Sequence, residues 1–159
     1  GTAIALMRHT DAPGFADPPG FRVDDCRTQR NLSERGREDA RAVGRRWKRE
    51  RVPIGRLVSS PWCRCVDTAT LLDLGPVQRE ATFSNVVVLT EQRQALTEGA
   101  RRYLAAWQGP GNLVVVTHGA NIQALLGGAN PGSGETVVVR RAPDGSLAEI
   151  GRIPVPAER

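Results

Sequence analysis

The sequence predicts an α/β protein, a three-layer α/β/α sandwich built on a mixed, mainly parallel sheet. Short apolar runs alternate along the chain with longer stretches of helical periodicity, and the alternation closes in two apolar runs separated by a Pro-Asp-Gly turn. A further observation concerns where polarity changes. Two of the apolar runs end abruptly in histidine, at Arg8-His9-Thr10 and at His118, and strand tips in an open α/β sheet line a crevice, not a core.

Residues 2–8 read as the first strand, because Thr2-Ala3-Ile4-Ala5-Leu6-Met7 is almost wholly apolar, as a strand covered on both faces must be. From Asp11 through Gln29 the chain is rich in Asp, Pro and Gly, and Asp17-Pro18-Pro19-Gly20 excludes regular structure. So long a connection in a compact domain is expected to wall or cover a functional site, with Phe15 and Phe21 pinning it to the body. Ser33 is placed to cap a helix that has Glu34 in its first turn and Ala40, Val43 and Trp47 at helical spacing. Its arginines, Arg35, Arg37, Arg41, Arg45, Arg46 and Arg49, are expected on the wet face, and Pro53 ends it.

Residues 56–60 form a short strand running into Pro61, whose ring suits the first turn of a second helix. Val66, Ala69 and Leu72 are its apolar side, and Gly75-Pro76 stops it. Val86-Val87-Val88-Leu89 reads as either a strand or an apolar loop segment. Between Glu91 and Trp107, the apolar residues Leu96, Ala100, Tyr103 and Trp107 recur at spacings of four, three and four, which predicts a helix despite Gly99. Residues 113–117 are a strand delivering His118, after which Gly119-Ala120-Asn121 opens a helix with Ile122, Leu125 and Leu126. The runs 136–139 and 147–150 form the closing antiparallel pair.

At 159 residues the chain fits one domain, residues 1–159, with a full hydrophobic core. A net charge of +5 arises from 22 Lys and Arg against 17 Asp and Glu, Lys48 being the single lysine. The arginines are spread over helices and loops without a dense basic run, and the scattered aromatics offer no row of stacking platforms, so a nucleic-acid partner is not expected. A moderately basic surface suits a small anion equally well. No apolar run approaches the roughly 20 residues needed to span a bilayer, so no integral membrane segment is expected. Localisation stays open on this reading, the cytoplasm being slightly favoured over a processed periplasmic or secreted form. Cys26, Cys63 and Cys65 fit neither a zinc site nor a redox pair, and reduced thiols are the expectation; a bridge from Cys26 to Cys63 or Cys65 requires an oxidising compartment.

Arg8-His9, Arg64 and His118 all lie at strand ends or strand-to-helix junctions, so one crevice can collect them. Arginine presents a fixed fork of N–H donors to phosphate oxygens, and a neutral imidazole beside such a clamp is also a nucleophile toward phosphorus. The guanidiniums neutralise the equatorial oxygens, so the step calls for no cofactor or metal.

These residues carry a family resemblance. The chain resembles the histidine phosphatase superfamily, the phosphoglycerate mutase-like proteins. The amino-terminal Arg-His-Gly element corresponds to Arg8-His9-Thr10, and the Leu-Thr-x-x-Gly element to Leu32-Ser33-Glu34-Arg35-Gly36 and the residues after it through Ala40. The Ser-Ser-Pro-x-x-Arg-x-x-x-Thr-Ala element is complete from Ser59 to Ala69, and the second histidine motif is Val116-Thr117-His118-Gly119. The resemblance implies a central, mainly parallel sheet between helices, His9 as phosphate-accepting nucleophile, and Arg8, Arg64 and His118 around the phosphoryl group. Thr10 departs from the commoner glycine, and its hydroxyl is expected to donate to a phosphate oxygen. For the proton donor, Glu91 is the expected residue, ahead of Glu80 and Glu98, with Asp11 and Glu135 as rivals. Trp62 and Asn121, with Phe15 and Phe21, are expected to wall the leaving-group side.

The long loop with Asp24-Asp25-Cys26, the segment Trp62-Cys63-Arg64-Cys65 and Asn121 give a narrower similarity, to small bacterial members related to lipopolysaccharide core heptose phosphate phosphatases. The function expected is metal-independent hydrolysis of a phosphate monoester through phospho-His9, acting on a small phosphorylated molecule, with sugar phosphates among the candidates. Alternatives are a phosphohistidine protein phosphatase, which admits a protein substrate, and a non-catalytic phosphate-binding domain.

Overall fold

The computed structural model describes residues 2–157. Six strands form one sheet: β1 (Ile4–Arg8), β2 (Ile54–Ser59), β3 (Val77–Arg79), β4 (Asn112–Thr117), β5 (Thr136–Arg141) and β6 (Leu147–Ile153). Their order is β3-β2-β4-β1-β5-β6. The β1–β4, β2–β4 and β2–β3 pairs are parallel, whereas β5 runs antiparallel to both β1 and β6. This is the mixed, mainly parallel sheet that alternating strand and helix patterns require.

Four helices, α1 (Glu34–Arg49), α2 (Cys63–Leu72), α3 (Arg93–Ala105) and α4 (Gly119–Leu126), cover the two faces. On one face Met7, Leu57, Val114 and Val116 meet Val43 and Trp47 of α1 and Cys65, Ala69 and Leu72 of α2. On the other, Ile4, Leu6, Val58, Leu113, Val115, Val137 and Val139 meet Ala100 and Leu104 of α3 and Ile122 and Leu125 of α4. Alternate residues of β4 therefore face opposite helical layers, which is why that strand is apolar throughout.

The register places the site. Arg8 pairs with Thr117 and Ser59 with Val116, so β1, β4 and β2 finish at the same level. The His9 N–H donates to the Thr117 carbonyl at 3.0 Å and the Ser60 N–H to the Val116 carbonyl at 2.9 Å, extending the ladder one residue past each strand. His9, Ser60 and His118 thereby emerge side by side.

Helix α1 starts where the sequence requires: the Ser33 hydroxyl accepts from the Gly36 N–H at 2.9 Å. Gly36 is needed there, because a Cβ would collide with the Asp11 carbonyl of the loop leaving β1. Of the two readings left open for residues 86–89, the structure takes the loop: they form a turn, with Val86 buried and Val87 and Val88 exposed, while the strand β3 was not anticipated. Three residues at a sheet edge, paired with β2 alone, are too few to show a period.

The cysteines also differ from the reduced state expected: Cys26 is bonded to Cys63, with Cα atoms 5.7 Å apart, and Cys65 is free and buried. The bridge ties the long loop after β1 to the first residue of α2. Trp47 is 4% exposed within its core cluster. Trp47→Ala is expected to lower stability by about 3–5 kcal/mol in denaturant unfolding, and near-wild-type stability would contradict this packing.

Candidate active site

One cavity of about 400 Å³ is lined by Arg8, His9, Arg30, Arg64 and His118, with Asp11 and Asp17 among its other walls. Four of these five basic side chains are those the sequence singled out; Arg30 is an addition. It lies three residues before the helix-capping Ser33, at the end of the long loop, where one arginine among many carries no periodic or motif signal.

The two imidazoles meet edge to face with centroids 5.8 Å apart. His9 Nδ1 and the Thr10 carbonyl oxygen are 2.8 Å apart, and a carbonyl can only accept, so Nδ1 carries the proton and Nε2 is left with its lone pair. His118 Nε2 shares a 2.8 Å hydrogen bond with the Ser60 hydroxyl. Burial pushes the His9 imidazole down to about 3, opposed by the bond to the Thr10 carbonyl and assisted by the guanidiniums of Arg64, Arg8 and Arg30. Burial first, then His9 and the same guanidiniums, holds His118 well below the ordinary histidine value. Both rings are therefore neutral at pH 7.

The three arginines share a feature. Arg8 Nη1 donates to the Pro131 carbonyl at 2.9 Å, Arg30 Nη1 to the Gly14 carbonyl at 2.6 Å, and Arg64 Nη1 to Asp17 at 2.8 Å. Each guanidinium is thus positioned by one arm. The Nε of each is buried without a hydrogen-bond partner in the protein. Buried donors are almost always satisfied, so three such donors on residues that line one cavity are an arrangement that an anion would complete.

Asp17, likewise not foreseen, organises the loop. Its carboxylate accepts from the Arg30 N–H at 3.0 Å, the Trp62 indole at 3.1 Å and Arg64. Burial favours the neutral acid, but the Arg30 N–H, the Arg64 guanidinium and the indole outweigh it and hold the carboxyl below its usual value. A buried ion pair of this kind contributes position more than stability, since desolvation offsets much of the attraction.

Several expected substrate contacts turn out to be supports. The Thr10 side chain is fully buried against Thr68, their hydroxyls 3.2 Å apart. Thr68 gives its own proton to the Arg64 carbonyl at 2.7 Å, so the Thr10 hydroxyl must donate to Thr68 and has no proton for a phosphate. The hydroxyl that a glycine lacks thus ties the His9 loop to α2. Trp62 is buried and bonded to Asp17, outside the cavity lining. Asn121 is also buried: its amide donates to the Phe83 and Ser84 carbonyls and accepts from the Val86 N–H, clamping the turn ahead of residues 87 and 88. Phe21 packs against Trp62 with centroids 6.0 Å apart, but Phe15 is fully exposed and pins nothing.

Glu91 lies exposed on the short turn Thr90–Gln92 and does not line the cavity. The expectation rested on its place after the Val86–Leu89 run, and that run is a turn that leaves Glu91 in solvent. Among the carboxylates weighed, Asp11 alone lines the cavity, its Oδ2 accepting from the Ser33 hydroxyl at 2.6 Å. Among the described residues, no cluster of three His, Cys, Asp or Glu side chains is arranged to hold a metal ion.

Neutral, buried imidazoles have a consequence for stability. Because both rings are held below the ordinary 6.5 in the fold, their contribution is whole above that pH and is lost as pH falls below it, for His9 down to about 3. Between pH 6.5 and 5, above the carboxylate range, unfolding free energy should fall by up to about 1.4 kcal/mol per pH unit for each ring. Denaturant titrations of His9→Gln should show a shallower slope; an unchanged slope would place His9 in water.

The comparisons with known proteins agree with this architecture. A family model, the histidine phosphatase superfamily (branch 1), matches residues 4–84. By sequence, no curated protein matches the chain. The fold is similar to that of the protein histidine phosphatase SixA solved with tungstate, at 19% identity and a TM-score of 0.62, over 95% of this chain and 96% of that one. It is similar also to mycobacterial glucosyl-3-phosphoglycerate phosphatase solved with VO3, at 16% identity and a TM-score of 0.69, over 93% and 96% of the two chains. Phosphoserine phosphatase of Entamoeba histolytica, in complex with 3-phosphoglyceric acid, gives 14% identity and a TM-score of 0.68, over 96% of each chain. With the family model covering half of its length and the fold extending the likeness to the rest, the chain belongs to branch 1 of the histidine phosphatase superfamily.

Proposed function

We propose that this protein hydrolyses phosphate monoesters through a phosphohistidine at His9. The observation that carries the reading is the set of three buried, unpartnered Nε donors of Arg8, Arg30 and Arg64 around a cavity that also holds a neutral His9. The guanidiniums and His118 bind the phosphoryl oxygens, replacing the hydration that a dianion loses on entry. The His9 Nε2 lone pair forms the N–P bond as the ester P–O bond breaks, and the electron pair leaves on the alcohol oxygen. Positive charge then rises on the ring, where the Thr10 carbonyl accepts from Nδ1–H and steadies it.

Asp11 supplies the leaving-group proton. With Oδ2 engaged by Ser33, the proton transferred is carried on Oδ1, and the resulting carboxylate takes a proton from the water that attacks the phosphohistidine. The N–P bond breaks, its pair returns to Nε2, and phosphate departs. Asp17 acts through Arg64, holding Nη1 so that the rest of the guanidinium remains for substrate. The Cys26–Cys63 bridge, one residue before Arg64, favours work in an oxidising compartment.

Turnover of p-nitrophenyl phosphate in the presence of EDTA should fall at least about 1,000-fold in His9→Ala; phosphate or vanadate binding with no turnover at any pH would leave a binding domain instead. Asp11→Asn should slow alkyl phosphates by about 100-fold or more while sparing p-nitrophenyl phosphate, whose leaving group needs no proton. Equal losses for both esters would remove Asp11 from the acid role.

A further inference from the structure

The same cavity has a mouth of different chemistry. Phe15 is fully exposed, and Val87 and Val88 are 61% and 42% exposed; they are three of the five exposed large hydrophobic side chains among the described residues, and all three line this cavity. Single exposed apolar residues are ordinary on a surface, but a group gathered at the rim of a reactive cavity marks what that cavity receives.

Neither lip is a slack loop. Arg30 fixes the Gly14 carbonyl and three donors fix Asp17, so the chain is held on both sides of Phe15. Asn121 clamps the backbone at Phe83, Ser84 and Val86, and the Asn85 Oδ1 accepts from the Val87 N–H at 2.8 Å. Polar side chains buried beneath each lip hold an apolar residue out to solvent. Outside the arginines, histidines and aspartates, the polar side chains on the cavity wall are Asn85, Asn130 and Ser133, and the Asn85 oxygen is already committed.

We propose that these lips receive an apolar leaving group, so that the preferred substrate is the phosphate monoester of an alkyl or aryl alcohol and not of a polyhydroxylated sugar. The proposal rests on the phosphatase reading of the pocket. With the phosphoryl group on the arginines, the group beyond the ester oxygen lies against Phe15, Val87 and Val88. A hydrocarbon there loses water at a gain, whereas a sugar brings several hydroxyls to a wall whose neutral polar side chains are the Asn85 amide N–H2, Asn130 and Ser133.

Cyclohexylmethyl phosphate and glucose 6-phosphate test this, because each places a six-membered ring one methylene from the ester oxygen and leaves as a primary alcohol. The expected kcat/KM is at least about tenfold higher for the cyclohexylmethyl ester. Replacing the lips together in Phe15→Ser/Val87→Ser/Val88→Ser, and singly in Val87→Ser, should erode that ratio, the triple variant by about tenfold. Thermal melting, with inorganic phosphate as competitive inhibitor, reports whether fold and clamp survive in each variant. Glucose 6-phosphate turned over as well as or better than its partner, a ratio indifferent to the lip variants, or turnover of p-nitrophenyl phosphate with neither ester would overturn the proposal and leave the phosphatase standing. No turnover of any of the three would fail both.

Discussion

The parallel pairing of β1 with β4, continued by the His9 N–H to the Thr117 carbonyl, is the constraint on which the rest depends. It sets two imidazoles that are far apart in sequence 5.8 Å from one another. Side chains alternate faces along a strand, so a slip of one residue in this register would move Leu6 and Met7 each into the wrong helical layer. The two hydrophobic clusters thus enforce the geometry of the pocket: apolar burial fixes the register, and the register fixes where His9 and His118 leave the sheet.

Beyond the sheet, placement passes to polar contacts in loops. Asp17 joins Arg30, Arg64 and Trp62, Thr68 joins Thr10 to the Arg64 carbonyl, and Gln29 accepts from the Cys63 N–H. Each contact spans elements distant in the chain. Together with the Cys26–Cys63 bridge they hold the long loop against α2, so that Arg30 of the loop and Arg64 of the helix line the same cavity. Such networks are costly when half satisfied, and the guanidinium Nε of both Arg30 and Arg64 is left without a partner in this one.

This division explains what the sequence disclosed. Arg8, His9, Arg64 and His118 were legible because each follows an apolar run or falls in a spaced motif, and strand tips are where such runs stop. Helices α1 to α4 showed through their periodic apolar faces. Arg30 and Asp17 were not legible, because a loop has no period and their partners lie 13 to 47 residues away. Thr10 and Asn121 were identified as near the site but assigned to substrate; a polar side chain beside a pocket and one facing into it look alike until partners are known. Glu91 failed for a different reason: it was chosen for its position after the apolar run 86–89, and two asparagines, Asn85 and Asn121, make that segment a turn whose far end lies in solvent.

The charges of the pocket fit the class of substrate proposed for it. Three guanidiniums line it, the imidazoles are neutral, and Asp17 is held ionised by its three donors. Three positive charges less that of Asp17 leave +2 on these groups, which suits a phosphate ester dianion. Neutral imidazoles fit the same logic, since a protonated His9 would raise the wall's charge and at once lose the lone pair that attack requires. Burial, which costs stability in acid, is what keeps that lone pair available at neutral pH.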